Sequence, residues 1–366
     1  MSLPETMQAA VLGGEPGVIR TTTLPVPPVG PEDVLVHVRR ASLCGTDLKI
    51  RSRHFFPDGG PDPDVFVPGH EYAGVVAAVG DTVDEFRVGD RVVTEAHRGC
   101  MRCANCLAGG YTDCLNYGHR RKGHRVQGMT VNGGFAEYAV NHVSTLHRLP
   151  ESVDFDAAVV LTTVGTVMHA FDVLGSLLVG ASIAVIGPGP IGLLATQVAR
   201  ELGARTVVLI GTRDARLEIG RSFGADLVLN SRNEDAVAAV REATQGTGAD
   251  IVLECSGASS AVDDALRMTK RAGKVVLVGF FEEPVRADLN HAVMNGISIE
   301  TVRGEGTGSL ARAVSLAARG RLRTAELITH HFPLQNVGEA FDTYAERRGN
   351  AIKVMLDVSE DGGARQ

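Results

Sequence analysis

Four of the six cysteines fall in one run, Cys100-x2-Cys103-x2-Cys106-x7-Cys114. Four thiolates in a short loop close a tetrahedral shell around Zn2+ at ~2.3 Å each. Gly99, Ala104, Asn105, Gly109 and Gly110 are small or turn-forming and suit such a loop. A closed shell leaves no coordination position for substrate, so the zinc expected here is structural. An iron–sulfur site and fortuitously placed thiols are the competing readings of the spacing. Cys44-Gly45-Thr46-Asp47 and, 26 residues on, Gly69-His70-Glu71 hold a second thiolate and imidazole. These are good zinc ligands, but spacing alone does not pair them.

A third feature is Gly187-Pro188-Gly189-Pro190-Ile191-Gly192, which fits G-x-G-x-x-G. It follows an apolar run and opens a helical stretch, the context in which that pattern binds a dinucleotide. Gly187 permits the tight turn, Gly189 lets a pyrophosphate approach the backbone, and Gly192 lets helix pack on strand. The helix expected from Ile191 then turns its N-terminus to the phosphates, with Pro190 and Ile191 among the expected cofactor-binding residues. An NAD site places Asp or Glu about 20 residues on, to hold the ribose 2′-hydroxyl. Gly211 stands there instead, followed by Thr212, Arg213 and Arg216. Glycine removes the repulsion of a 2′-phosphate, and a hydroxyl and guanidinium offer it donors. This favours NADP over NAD.

The elements that position these residues divide the chain. At 366 residues, two domains of about 150 residues are expected. Up to about residue 160 the pattern is of short strands, such as 34–38, 75–79 and 91–93. Pro- and Gly-rich turns separate them, including 25–31 and 57–63, which suggests a barrel-like or sandwich domain. From Ser182 strands and helices alternate. Strands are expected at 182–186, 206–210, 227–230, 251–255 and 274–279, with helices at 191–202, 215–223, 234–244 and 259–271. That alternation means parallel βαβ units and a doubly wound sheet. Residues 359–366 are expected to fray.

Composition narrows the class. Apolar residues are 44% and charged residues 22%, a globular balance. The net charge of −7 gives no support to nucleic-acid binding. No secretory signal opens the chain, and the uncharged stretch 173–199 is broken by glycines and prolines, so no membrane span is expected. A cytoplasmic location follows, where clustered thiols bind metal and do not pair.

Taken together, the motifs resemble those of the zinc-dependent medium-chain alcohol and polyol dehydrogenases. The likeness runs nearly end to end, through Cys44–Asp47, Pro68–Glu71, Gly89–Val92, the cysteine loop, Gly133–Tyr138, the Gly187 turn and Ala351–Val354. It implies an α/β protein with a GroES-like β-rich catalytic domain and a Rossmann domain. The expected boundaries are 1–162, 163–303 and a segment 304–366 returning to the first domain. It implies that Cys44 and His70 bind a catalytic zinc with Glu71 close by, and that Thr46 relays the substrate's proton. Lys49 stands where many relatives carry a relay histidine. Gly211-Thr212-Arg213 resembles the NADP-binding variants.

The third catalytic ligand of the family, a Cys, Asp or Glu, aligns with Thr162. A neutral hydroxyl is a poor zinc ligand. Glu71 or a water then completes the shell, or the metal is labile or lost; the first two are expected. The implied reaction is hydride transfer between a secondary alcohol, polyol or sugar-like hydroxyl (or its ketone) and NADP(H) or NAD(H), in a homodimer or homotetramer. A zinc-independent NADPH reductase of the same fold, and a non-catalytic nucleotide-binding protein, are the alternatives. The basic run His119–Arg125 is expected to be a solvated surface, with attraction of an anionic substrate as the second reading.

Overall fold

The computed structural model describes residues 3–53, 65–175 and 178–359. The proline-rich turn at 57–63 and the tail beyond 359 lie outside the described residues. The chain divides into two compact units. The first comprises Met1–Thr162, Gly304–Gly320 and Thr324–Gln366, and the second Thr163–Arg303 with Arg321–Arg323.

The first unit is built on a seven-stranded sheet. Its central strand, Asp33–Ser42, pairs antiparallel with Glu71–Val79 along one edge. Along the other it pairs with Tyr138–His142 and with Lys353–Asp357. Met355 lies opposite Ser42, so the end of the chain is hydrogen-bonded to its beginning. Val34, Val36, Val38 and Ala41 are fully buried, because apolar residues alternate along a strand whose two faces are both covered. The main core of this unit gathers Val38, Tyr72, Phe135, Phe341, Val354 and Leu356.

The second unit carries a six-stranded, all-parallel sheet. Its strands run in the order Leu227–Asn230, Thr206–Gly211, Ser182–Ile186, Ala249–Glu254, Thr269–Leu277, Ser298–Thr301. The order reverses between Ser182–Ile186 and Ala249–Glu254, the switch point at which such sheets bind ligands. Ser182–Ile186 is buried at every position, as expected for a strand covered by helices on both faces.

One long helix, Phe155–Asp172, has no counterpart among the expected elements. Residues Ala158, Val159, Val160, Leu161, Thr162, Thr163 and Val164 are buried in succession. A helix buried on all sides has no polar stripe to reveal its period. No helix among the described residues is long and apolar enough to cross a membrane.

Candidate active site

Cys44 sits at the N-cap of the short helix Gly45–Arg51. Its backbone N–H donates to Asp47 Oδ2 at 2.8 Å, so the acidic residue three positions on closes the helix start. Thr46 Oγ1 lies 3.9 Å from the Cys44 sulfur. Lys49 is on the same helix and half-buried.

His70 and Glu71 come from the entry to Glu71–Val79. Gly69 turns the chain there with φ +95°, a backbone open to glycine, and a Cβ on it would strike the Phe135 ring at 2.3 Å. The turn brings one ligand atom each of Cys44, His70 and Glu71 within 4.8 Å of one another. His70 Nδ1 faces Asp47 Oδ1 at 3.4 Å. Asp47 is fully buried, and both atoms lack any closer hydrogen-bond partner. A buried carboxylate on Nδ1 fixes the tautomer that leaves Nε2 for a metal. Burial alone lowers the His70 pKa, but Asp47 and then Cys44 outweigh it and hold it well above its ordinary value. A donor set that draws positive charge onto the imidazole suits a cation.

Glu71 is already engaged. Its Oε2 accepts from Ser42 and from Lys353, and both ends of the Glu71–Lys353 pair are buried. Burial raises the carboxyl pKa, but Lys353 and then His70 bring it below the ordinary value. Thr162 is also buried, and its hydroxyl donates to the Thr94 carbonyl at 3.2 Å. Its proton is therefore committed within the helix–strand packing. Asp47, Ser42 and Lys353 are the residues that sequence reasoning left without a role. Asp47 carried a signal, an acid at the third helical position after Cys44, and Lys353 lay within the Ala351–Val354 motif of the resemblance; Ser42 carried none.

The cysteine loop also converges. Ligand sulfurs of Cys100, Cys103, Cys106 and Cys114 lie within 4.8 Å of one another. The Cys100–Cys106 and Cys103–Cys114 sulfur separations are both 4.0 Å. A tetrahedron with ~2.3 Å Zn–S bonds has edges of about 3.8 Å, so the loop fits zinc with little adjustment. Asn116 Nδ2 donates to the Cys100 sulfur at 3.2 Å, and backbone N–H groups of Cys100 and Asn116 donate to Cys114 at 3.4 Å. The Asn116 donor is the largest influence drawing the Cys100 thiol down to about 5, whereas burial pushes Cys106 up to about 12. All six cysteines are free.

The basic run divides by role. Arg120, Arg121 and Lys122 are exposed, with Lys122 Nζ donating to Asn116 Oδ1 at 3.1 Å. His124 is buried, its Nδ1 accepting from Gly118 N at 3.1 Å, and Arg125 pairs with Asp33 at 2.7 Å. Lys122 and His124 thus tie the run to the segment after Cys114, and Arg125 ties it to the strand Asp33–Ser42.

In the second unit, Gly189 caps the helix Pro190–Glu201 and Pro190 takes its first position. Proline is favoured there because its missing N–H has no partner to lose. A Cβ on Gly189 would meet no protein atom within 4 Å, whereas one on Gly192 would lie 2.0 Å from the Gly187 carbonyl oxygen. The backbone of the turn is thus packed on the sheet side and open at Gly189, a cradle for pyrophosphate. Gly211 ends its strand, Thr212 is exposed, Arg213 caps the helix Asp214–Ser222, and Arg216 is buried on that helix.

Known proteins carry the same pattern. The family model of the alcohol dehydrogenase GroES-like domain matches residues 30–151, and that of zinc-binding dehydrogenases matches residues 190–319. An L-threonine 3-dehydrogenase of Deinococcus deserti is 35% identical over 338 residues, covering 91% of this chain and 93% of its own. A Sinorhizobium meliloti protein assigned as a zinc-binding dehydrogenase was solved with NADP bound. It superposes with a TM-score of 0.87 at 26% identity, over 97% of this chain and all of its own. The alcohol dehydrogenase of Thermus sp. ATN1 gives a TM-score of 0.85 at 28% identity, over 96% and 100%. These matches span both units and bear out the α/β fold with its GroES-like and Rossmann parts. The chain belongs to the zinc-dependent medium-chain dehydrogenases, and it is an NAD(P)-dependent enzyme acting on CH–OH donors.

Proposed function

We propose that the enzyme interconverts a secondary alcohol, polyol or sugar-like hydroxyl and its ketone using NADP(H), with a catalytic zinc in the first unit. The supporting observation is the convergence of Cys44, His70 and Glu71 within 4.8 Å, with Asp47 behind the imidazole. A zinc ion held there would polarise the substrate hydroxyl and lower its pKa. Cys44 and His70 hold the metal, and Glu71 or a water completes the protein shell. Thr46, beside the Cys44 sulfur, takes the hydroxyl proton as it passes its own outward. The Gly187 turn orients the dinucleotide that accepts the hydride. Cys100, Cys103, Cys106 and Cys114 hold a second, structural zinc.

The NADP preference rests on Gly211, Thr212, Arg213 and Arg216; of two similar structures at 26% identity, the Sinorhizobium one was solved with NADP and one from Escherichia coli with NADH. Relatives named L-threonine 3-dehydrogenase place 3-hydroxy amino acids on the substrate panel beside polyols and secondary alcohols. Exposed Leu289, Val293 and Met294 near the edge strand Ser298–Thr301 support a homo-oligomer, and the clustering of four cysteines as metal ligands a cytoplasmic location.

Two measurements test the proposal. Metal analysis should return two zinc ions per chain. One per chain favours the zinc-independent reductase, a reading with the Lys353–Glu71 pair and Thr162 on its side. The kcat/KM for NADPH should exceed that for NADH, and Arg213→Asp should lower it about 10- to 100-fold, the worth of a charge-assisted hydrogen bond. An NAD preference in the unaltered enzyme ends the NADP reading.

A further inference from the structure

The end of the second Rossmann strand and the Gly-rich turn are in steric contact. A Cβ on Gly211 would lie 2.4 Å from both Cδ and Cγ of Pro188. Real Cβ atoms essentially never come within 3.0 Å of another atom. The next neighbour, Leu217 Cδ2 at 3.4 Å, is an ordinary contact, so Pro188 alone makes the obstruction.

Pro188 has no room to yield. Its ring is fused to the backbone and carries no free rotor. The residue before it is pinned: Gly187 N–H donates to the Ile210 carbonyl at 2.8 Å. Gly187 also adopts φ +102°, and a Cβ on it would lie 2.8 Å from Ser256. Gly192 closes the other side against the Gly187 carbonyl. Movement of the proline ring away from Gly211 requires the whole turn to leave its seat.

We propose that Pro188 is a specificity-determining residue, occupying the space that a side chain at position 211 needs. An acidic residue at that strand end is therefore excluded by shape as well as absent from the sequence. The strand end stays clear for a 2′-phosphate, and substitution at 211 alone cannot convert the enzyme to NAD. The functional half of this inference rests on the NADP reading; the steric half does not.

The test is a double-mutant cycle on the full-length enzyme. Gly211→Ala, Pro188→Ala and the double variant are compared by thermal unfolding without nucleotide, and by NADPH and NADH binding through nicotinamide fluorescence. Gly211→Ala should lower Tm by at least about 3 °C, as overpacking does, and weaken both dinucleotides. Pro188→Ala removes the two obstructing ring atoms, so the double variant should recover most of the loss. A second cycle uses Gly211→Asp. The ratio of NADPH to NADH dissociation constants should shift toward NADH by about 10-fold or more in the Pro188→Ala background only. If Gly211→Ala fails to fold, recovery of folded protein in the double variant supports the contact, and its failure there overturns it. An unchanged Tm in Gly211→Ala, or an equal loss in the Pro188→Ala background, also overturns it. Preference of the unaltered enzyme for NADH defeats the NADP reading, while the Tm cycle still decides the steric contact.

Discussion

Replacing Lys353 with methionine removes the cation that neutralises Glu71. Both side chains are buried, at 2% and 4% exposure, so the pair belongs to the regime in which losing one partner strands a charge. Such losses cost about 3–5 kcal/mol, against about 0–1 kcal/mol at a surface. Ser42 still donates to Glu71 after the substitution, which places the expected cost near the lower end, about 3 kcal/mol. For a unit of this size each kcal/mol moves Tm by about 2–4 °C, so the fall should be about 6–12 °C. The same reasoning makes Glu71→Gln with Lys353→Met milder than Lys353→Met alone, because no charge is left unpaired. Thermal unfolding of the two singles and the double, before and after chelator treatment, separates this term from metal binding by Glu71. The reasoning is refuted if the double variant is no more stable than Lys353→Met in metal-free protein. Lys353 would then be a packed aliphatic stem, with its charge irrelevant to Glu71.

Asp47→Asn should weaken zinc binding at the Cys44–His70 site about 10- to 100-fold, as loss of a ligand-orienting carboxylate does, measured by competition with a chromophoric chelator. The helix start should survive, because an asparagine side-chain oxygen can still accept from the Cys44 N–H. In the second unit, Asp250 accepts from Ser182 N at 2.7 Å and Ser182 Oγ at 2.6 Å, and pairs with Lys270. Burial raises its pKa, but Lys270 and then Ser182 outweigh burial and bring it below the ordinary 3.8. A folded pKa below the unfolded one makes its stabilisation complete above about pH 4 and lost as pH falls through the folded value. Tm against pH should therefore lose part of its acid slope in Asp250→Asn.

What could be read without coordinates depended on how far apart the partners lie in the chain. The cysteine loop and the Gly187 turn are local, so their spacing encodes their geometry. Five of the six parallel strands were legible as short apolar runs closed by turns, whereas the edge strand Ser298–Thr301, with mostly exposed residues, was not. Ser182–Ile186 and Leu227–Asn230 fall where those runs predicted them. The helix Phe155–Asp172 was not legible, since unbroken burial erases its period. Pairing Cys44 with His70 needed the family resemblance. Lys353 and Glu71 are 282 residues apart and share no local pattern, so only the fold joins them. Thr162 was found as a departure from the family, and its bond to Thr94 shows how the hydroxyl is used instead.

The pairing of Lys353–Asp357 with Asp33–Ser42 has a consequence for synthesis of the chain. The sheet that carries Ser42 and Glu71 lacks one of its strands until Lys353–Asp357 has left the ribosome. The second unit, closed within 163–303 apart from three residues, can fold while translation continues, as domains generally do. The nascent first unit meanwhile holds Cys44, His70 and Glu71 without their lysine. A chain cut short upstream of Lys353 would therefore carry every residue of the second unit's 163–303 stretch, and a first unit without the lysine that neutralises Glu71.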